Sequence, residues 1–101
     1  MFFAIENAYD DGGDVHGPYV DLVAAQADTI AKLEAAGLYQ VWKDAREFSI
    51  YDGATLSMIG RTVVKLRDEA KRGLAYRDTE YKTEWQAQEP PFPPTPPMRA
   101  P

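Results

Sequence analysis

Cysteine is absent and histidine occurs once, at His16. The first absence excludes disulfides, thiolate metal sites and thiol catalysis together. The second leaves nucleophilic chemistry only Ser49 or Ser57 paired with His16, a combination that nothing in the spacing supports. No glycine-rich phosphate loop, no metal-ligand spacing and no internal repeat is present. Residues 1–5 are apolar, but they are far too few for a signal or spanning segment and run straight into Glu6. The chain therefore reads as a cytoplasmic protein that contacts no membrane, is not an enzyme and carries no cofactor or metal. Lysine and arginine are missing from the first 31 residues, which hold six acids, whereas residues 61–77 hold six bases against two acids. Proline is nearly absent from the body of the chain, where only Pro18 occurs.

Seven of the eight prolines fall in the last twelve residues instead. Proline locks φ and has no backbone donor, so this stretch can neither continue a helix nor sit inside a sheet, and polyproline II is its natural state. The chain divides accordingly into a single domain over residues 1–86 and a proline-rich extended arm over residues 87–101. One hundred and one residues, 45% of them apolar, admit one core. A domain of this size is modestly stable and is often helped by a second copy or a partner.

Residues 1–6 alternate, with Phe3 and Ile5 on one side, and predict a strand. Residues 7–17 are rich in Asn, Asp and Gly and read as a loop with its tip at Asp10 to Asp14. From Pro18, the spacing of Val20, Val23, Ala24, Ala27, Ile30 and Ala31 predicts a helix to about Ala36, ended by Gly37 and supported by an Asp28–Lys32 pair. Residues 38–43 and 47–51, aromatic and β-branched, predict a β-hairpin around Asp44 and Ala45. Leu56, Ile59, Val63, Leu66 and Ala70 repeat at three and four, which predicts a second, basic helix stopped near Gly73. Tyr81, Thr83 and Trp85 alternate, and residues 74–85 are read as an extended fourth strand or ordered arm. The expected fold is α+β: a small antiparallel sheet in the order β-α-β-β-α, with a further β at the end, and two helices on one face. A ferredoxin-like arrangement is one candidate.

The arm holds the most specific pattern. Pro94-Thr95-Pro96-Pro97-Met98-Arg99 fits P-x-x-P-x-R, in which a preformed left-handed helix lays prolines into aromatic grooves and the arginine meets an acidic pocket. Pro91, Phe92, Pro94, Pro97, Met98 and Arg99 are the expected partner contacts, with Trp85 at the root of the arm as the near end of the same surface. Asp10, Asp11 and Asp14 form a secondary acidic surface. They match no calcium loop, and His16 beside them reads as an exposed, acid-stabilised imidazole. Arg61, Lys65 and Arg72 suggest an anion-binding patch, opposed by Asp68, Glu69 and a pI of about 4.7. The sequence thus favours a small non-catalytic interaction protein, an adapter, inhibitor or accessory assembly component that binds a protein partner. A nucleic-acid or nucleotide-binding module using residues 61–77 and a structural homo-oligomer are the alternatives.

Overall fold

A computed structural model describes residues 1–7, 12–74 and 76–88. Five strands form one antiparallel sheet: β1 (Phe2–Asn7), β2 (Gly12–Tyr19), β3 (Glu47–Asp52), β4 (Met58–Leu66) and β5 (Tyr81–Ala87), in the spatial order β2-β1-β3-β4-β5. Two consecutive helices, α1 (Leu22–Ala36) and α2 (Leu38–Lys43), lie between β2 and β3 in the chain. The fold class is α+β, as expected, but the order β-β-α-α-β-β-β is not the ferredoxin-like one, whose helices each separate pairs of strands. Among the described residues, no helix is long and apolar enough to cross a membrane.

The segment read as a loop is largely the edge strand β2. It pairs with β1 through Ala4–His16, Ile5–Val15 and Glu6–Asp14, and two register irregularities accommodate its turn-forming residues. An edge strand supplies only one ladder, so glycine and proline are tolerated there. Gly13 and Gly17 take φ of +119° and +115°, backbone conformations closed to most side chains. This strand displaces the helix start from Pro18 to Leu22. Asp21 caps α1, its carboxylate accepting from the Ala24 N–H at 2.8 Å.

Residues 38–43 are a helix, not a strand. Gly37, at φ +91°, closes α1 and lets α2 begin at once. Leu38, Val41 and Trp42 then fall at i, i+3 and i+4 and turn together to the core. The converse correction applies to the expected basic helix, which is β4. Thr62, Val63 and Val64 are consecutive β-branched residues stiff at χ1 and suited to a pleated surface. All three are buried because β4 is a central strand, flanked by β3 and β5. Of the charges that follow, Glu69 and Lys71 lie in one short 3-10 turn, Glu69–Lys71, and Asp78 and Glu80 in another, Asp78–Glu80. The last strand forms as the alternation of Tyr81, Thr83 and Trp85 predicted.

Both helices pack on one face of the sheet. Ala25 and Leu33 of α1 and Val41 of α2 meet Ala4, Phe48, Ile50, Val64, Leu66 and Tyr81 in a single buried cluster. Tyr39 and Trp42 lie against the Tyr81 ring, with centroids 5.8 and 5.3 Å away, and burial raises the Tyr81 phenol above its usual pKa.

Candidate interaction surface

Because side chains alternate along a strand, the register that sends Ala4, Phe48, Ile50 and Val64 into the core sends Phe3, Ile5, Val15, Ser49, Tyr51, Arg61, Val63 and Lys65 to the opposite face. Among the described residues no helix covers that face. Phe3 stands opposite Tyr51, and Ile5 lies between Val15 and Ser49, so apolar side chains run in cross-strand pairs over β2, β1 and β3. Val15 is 64% exposed, whereas Phe3, Ile5 and Tyr51 are half-buried by their neighbours. Polar groups border the row: Asn7 donates to the Ser49 hydroxyl at 3.1 Å, and Arg61 reaches Glu47 at 3.4 Å. Nearer the far edge, Lys82 lies 3.9 Å from Glu84, which also accepts from Gln86 at 3.0 Å. An apolar centre with a charged rim is the anatomy of a protein contact surface.

β4 runs past the point where β3 begins, and a cleft of about 320 Å³ opens in the resulting notch. Arg46, Arg61 and Lys65 line it with Trp42 and Val63. Strand geometry places Arg61 and Lys65 on one face, and the loop before β3 adds Arg46, which sequence reasoning missed because it is remote in the chain. Arg72 does not join them. Its guanidinium stands 6.0 Å from the Trp42 ring and pairs with Glu69 at 2.7 Å, both on exposed surface.

On the helix side, Arg46 also holds Glu6, its Nε donating to Oε2 at 3.1 Å. His16 Nε2 lies 3.5 Å from the other oxygen of Glu6, and its ring meets Phe48 edge-on at 5.4 Å. The imidazole is therefore half-buried beside a β1 carboxylate rather than exposed. Close by, Tyr19 donates to Asp28 at 2.5 Å and Lys32 to the same carboxylate oxygen at 2.8 Å, tying α1 to the edge strand. The bond from Lys32, followed by that from Tyr19, holds the Asp28 carboxyl below its ordinary pKa against an opposing effect of burial. Burial and the same Asp28 raise the Tyr19 phenol well above its usual range.

The sequence-derived contacts are dispersed by the fold. Trp85 is half-buried on the helix face, against the core cluster and over Gly60. Asp14 is exposed on β2, opposite Glu6. Asp10, Asp11, Pro91, Phe92, Pro94, Pro97, Met98 and Arg99 lie outside the described residues. The open sheet face was within reach of the sequence in part, since the alternation of Phe3 and Ile5 marks it, but its β3 and β4 members become neighbours only through tertiary pairing. Compared with known proteins, the chain matches no family model, no curated protein and no solved structure.

Proposed function

We propose that this chain is a non-catalytic interaction protein that binds a protein partner through the helix-free face of its sheet, with the proline-rich arm extending the contact. The observation that carries this reading is the uncovered apolar row of Phe3, Ile5, Val15 and Tyr51 beside the ion-paired rim. Large apolar side chains gathered on one side of a small domain mark contact surfaces. The arm supports the same reading by its sequence: Phe92, Met98 and Arg99 among prolines suit docking into an aromatic groove. Its root is ordered, because the Gln88 N–H donates to the Ile59 carbonyl at 3.0 Å.

Affinity capture from a lysate of the source cells, read by mass spectrometry, tests the proposal with three baits: the full chain, a chain ending at Gln88, and the full chain with Val15→Lys. Val15 is exposed on an edge strand, so the lysine leaves the fold intact. A protein enriched by the full chain and reduced by both changes supports the reading. Identical recovery by all three baits, or enrichment of nothing over a bare-matrix control, overturns it.

A second reading, binding of a nucleotide or nucleic acid, is favoured by one observation: Arg46, Arg61 and Lys65 share the cleft beside Trp42. It requires labelled RNA or DNA to bind with an affinity that falls steeply as salt rises, and to be lost on combined Arg61→Gln and Lys65→Gln substitution.

A further inference from the structure

The two edges of the sheet are guarded very differently. Edge strands expose unpaired backbone groups and are normally blunted by proline, bulges, charged side chains or short length, and weakened by glycine. β2 has all of these except short length: Gly12, Gly13, Asp14, Gly17, Pro18 and two register irregularities against β1. β5 has no proline, glycine or bulge, and its charges Lys82 and Glu84 pair with each other. Its seven residues, Tyr-Lys-Thr-Glu-Trp-Gln-Ala, pair with β4 in unbroken register from Tyr81 to Ala87.

The direction of its free backbone groups follows from two flanking bonds. The Arg67 N–H donates to the Glu80 carbonyl and the Gln88 N–H to the Ile59 carbonyl, so even-numbered residues of β5 exchange hydrogen bonds with β4. The N–H and C=O groups of Thr83, Trp85 and Ala87 therefore point away from the sheet, and among the described residues they meet no partner. Tyr81 faces the same way, but its carbonyl accepts from the Arg67 guanidinium at 3.1 Å. The open run is thus Thr83 to Ala87, and the proline arm begins just beyond it.

We propose that β5 pairs antiparallel with β5 of a second copy about a two-fold axis at Trp85. The choice of partner and register rests on self-complementarity. A two-fold axis at Glu84 sets that carboxylate against its own copy, a like-charge cross-strand pair that is destabilising. An axis at Thr83 requires the Tyr81 carbonyl to accept a second bond on the edge side, where the Arg67 guanidinium already lies against it. The axis at Trp85 places Thr83 opposite Ala87 of the second copy, Glu84 opposite Gln86, and Trp85 opposite itself. Three facing pairs then exchange two hydrogen bonds each, and an acid meets an amide donor on the other face. The indole lies over Gly60 of its own β4, which leaves the backbone at the axis clear for close approach. Such a dimer joins two five-stranded sheets into one and brings their helix-free faces side by side, independently of what binds there.

The test uses the full chain, which has no native thiol to interfere. Sedimentation velocity across micromolar to millimolar concentration is expected to show twice the 11.3 kDa chain mass. Thr83→Pro and Ala87→Pro each remove an outward donor and no bond to β4, so each is expected to halve the observed mass while circular dichroism stays unchanged. Register is read by oxidation of cysteine variants. T83C/A87C is expected to form an intermolecular disulfide, its two cysteines being four strand residues apart and so too distant to bridge within one chain. E84C and T83C alone, each on the axis of a rejected register, are expected to stay reduced. A monomer at every concentration, a dimer of unchanged mass in both proline variants, or cross-linking of E84C or T83C alone would overturn the proposal.

Discussion

Trp85 lies across Gly60, its indole covering the bare backbone of the central strand so closely that no side chain fits beneath it. A Cβ at Gly60 would clash with the ring and stand 2.8 Å from the Gln86 carbonyl oxygen. Gly60→Ala is therefore expected to destabilise the fold by roughly 1–3 kcal/mol, the usual range for overpacking. Urea denaturation with the transition followed by tryptophan fluorescence checks this. Trp85→Leu combined with Gly60→Ala should recover part of the loss, since the obstacle is the ring.

Thr62 is fully buried on β4, and its hydroxyl has no hydrogen-bond partner among the described residues. A buried hydroxyl without a partner carries its desolvation cost uncompensated. Thr62→Val keeps the β-branched shape and removes that cost. Its expected effect is stabilisation by about 1 kcal/mol, visible as a raised Tm in calorimetry. A lowered Tm would mean that the hydroxyl is satisfied.

Asp28 gives the fold a defined pH dependence. Lys32 and Tyr19 hold its carboxyl below the ordinary value, so the folded state binds the Asp28 proton less readily than the unfolded chain does. The resulting stabilisation is fully present above the unfolded carboxyl pKa, about 4, and is lost as pH falls through the lower folded value. Urea midpoints for the wild type and Asp28→Asn are expected to differ most near neutrality and to converge as pH falls below the lowered folded value. Parallel curves over that range would refute the assignment.

Arg46 and Glu6 join the loop before β3 to β1, across 40 positions of sequence. Both side chains are roughly three-quarters buried, and His16 shares the carboxylate. A double-mutant cycle with Glu6→Gln and Arg46→Met is expected to show favourable coupling of about 0.5–1 kcal/mol that weakens with added salt. A coupling of zero at low salt would leave the pair without a role in stability.

The parts of the fold legible in the sequence are those whose local pattern and tertiary environment agree. Phe3 and Ile5 alternate and form a strand, a helix ends at Gly37 as its spacing from Pro18 predicts although it begins at Leu22 and buries Ala25, Thr29 and Leu33 instead of Val23 and Ala27, and Glu47 to Tyr51 alternate. The misread parts are those in which two periods fit the same residues. Leu38, Val41 and Trp42 fit a helix turn as well as an aromatic strand, and six residues are too few to separate the two. Ile59, Val63 and Leu66 mimic a helical stripe, because Val63 is apolar on the helix-free face while Val64 and Leu66 fill the core, so apolar residues fall at odd and even positions alike. The candidate surface was partly legible for the same reason: β1 announces its open face, whereas Tyr51, Arg61 and Val63 join it through pairings that no local pattern encodes.

By itself the sequence determined the absence of thiol chemistry, the α+β class and the existence of α1, but not the face that α1 buries, which is Ala25, Thr29 and Leu33 rather than Val23, Ala27 and Ala31. What it did determine follows from composition and from short-range periodicity, which act through the backbone of each segment alone. Tertiary structure alone decided that a turn-rich segment becomes the edge strand β2, that the basic segment is a central strand, and that Arg46 meets Arg61 and Lys65 in one cleft. It also decided which edge is left open. The physical reason is that strand pairing satisfies backbone donors and acceptors between residues far apart in the chain, so the identity of a strand's neighbours outweighs the preference of its own side chains.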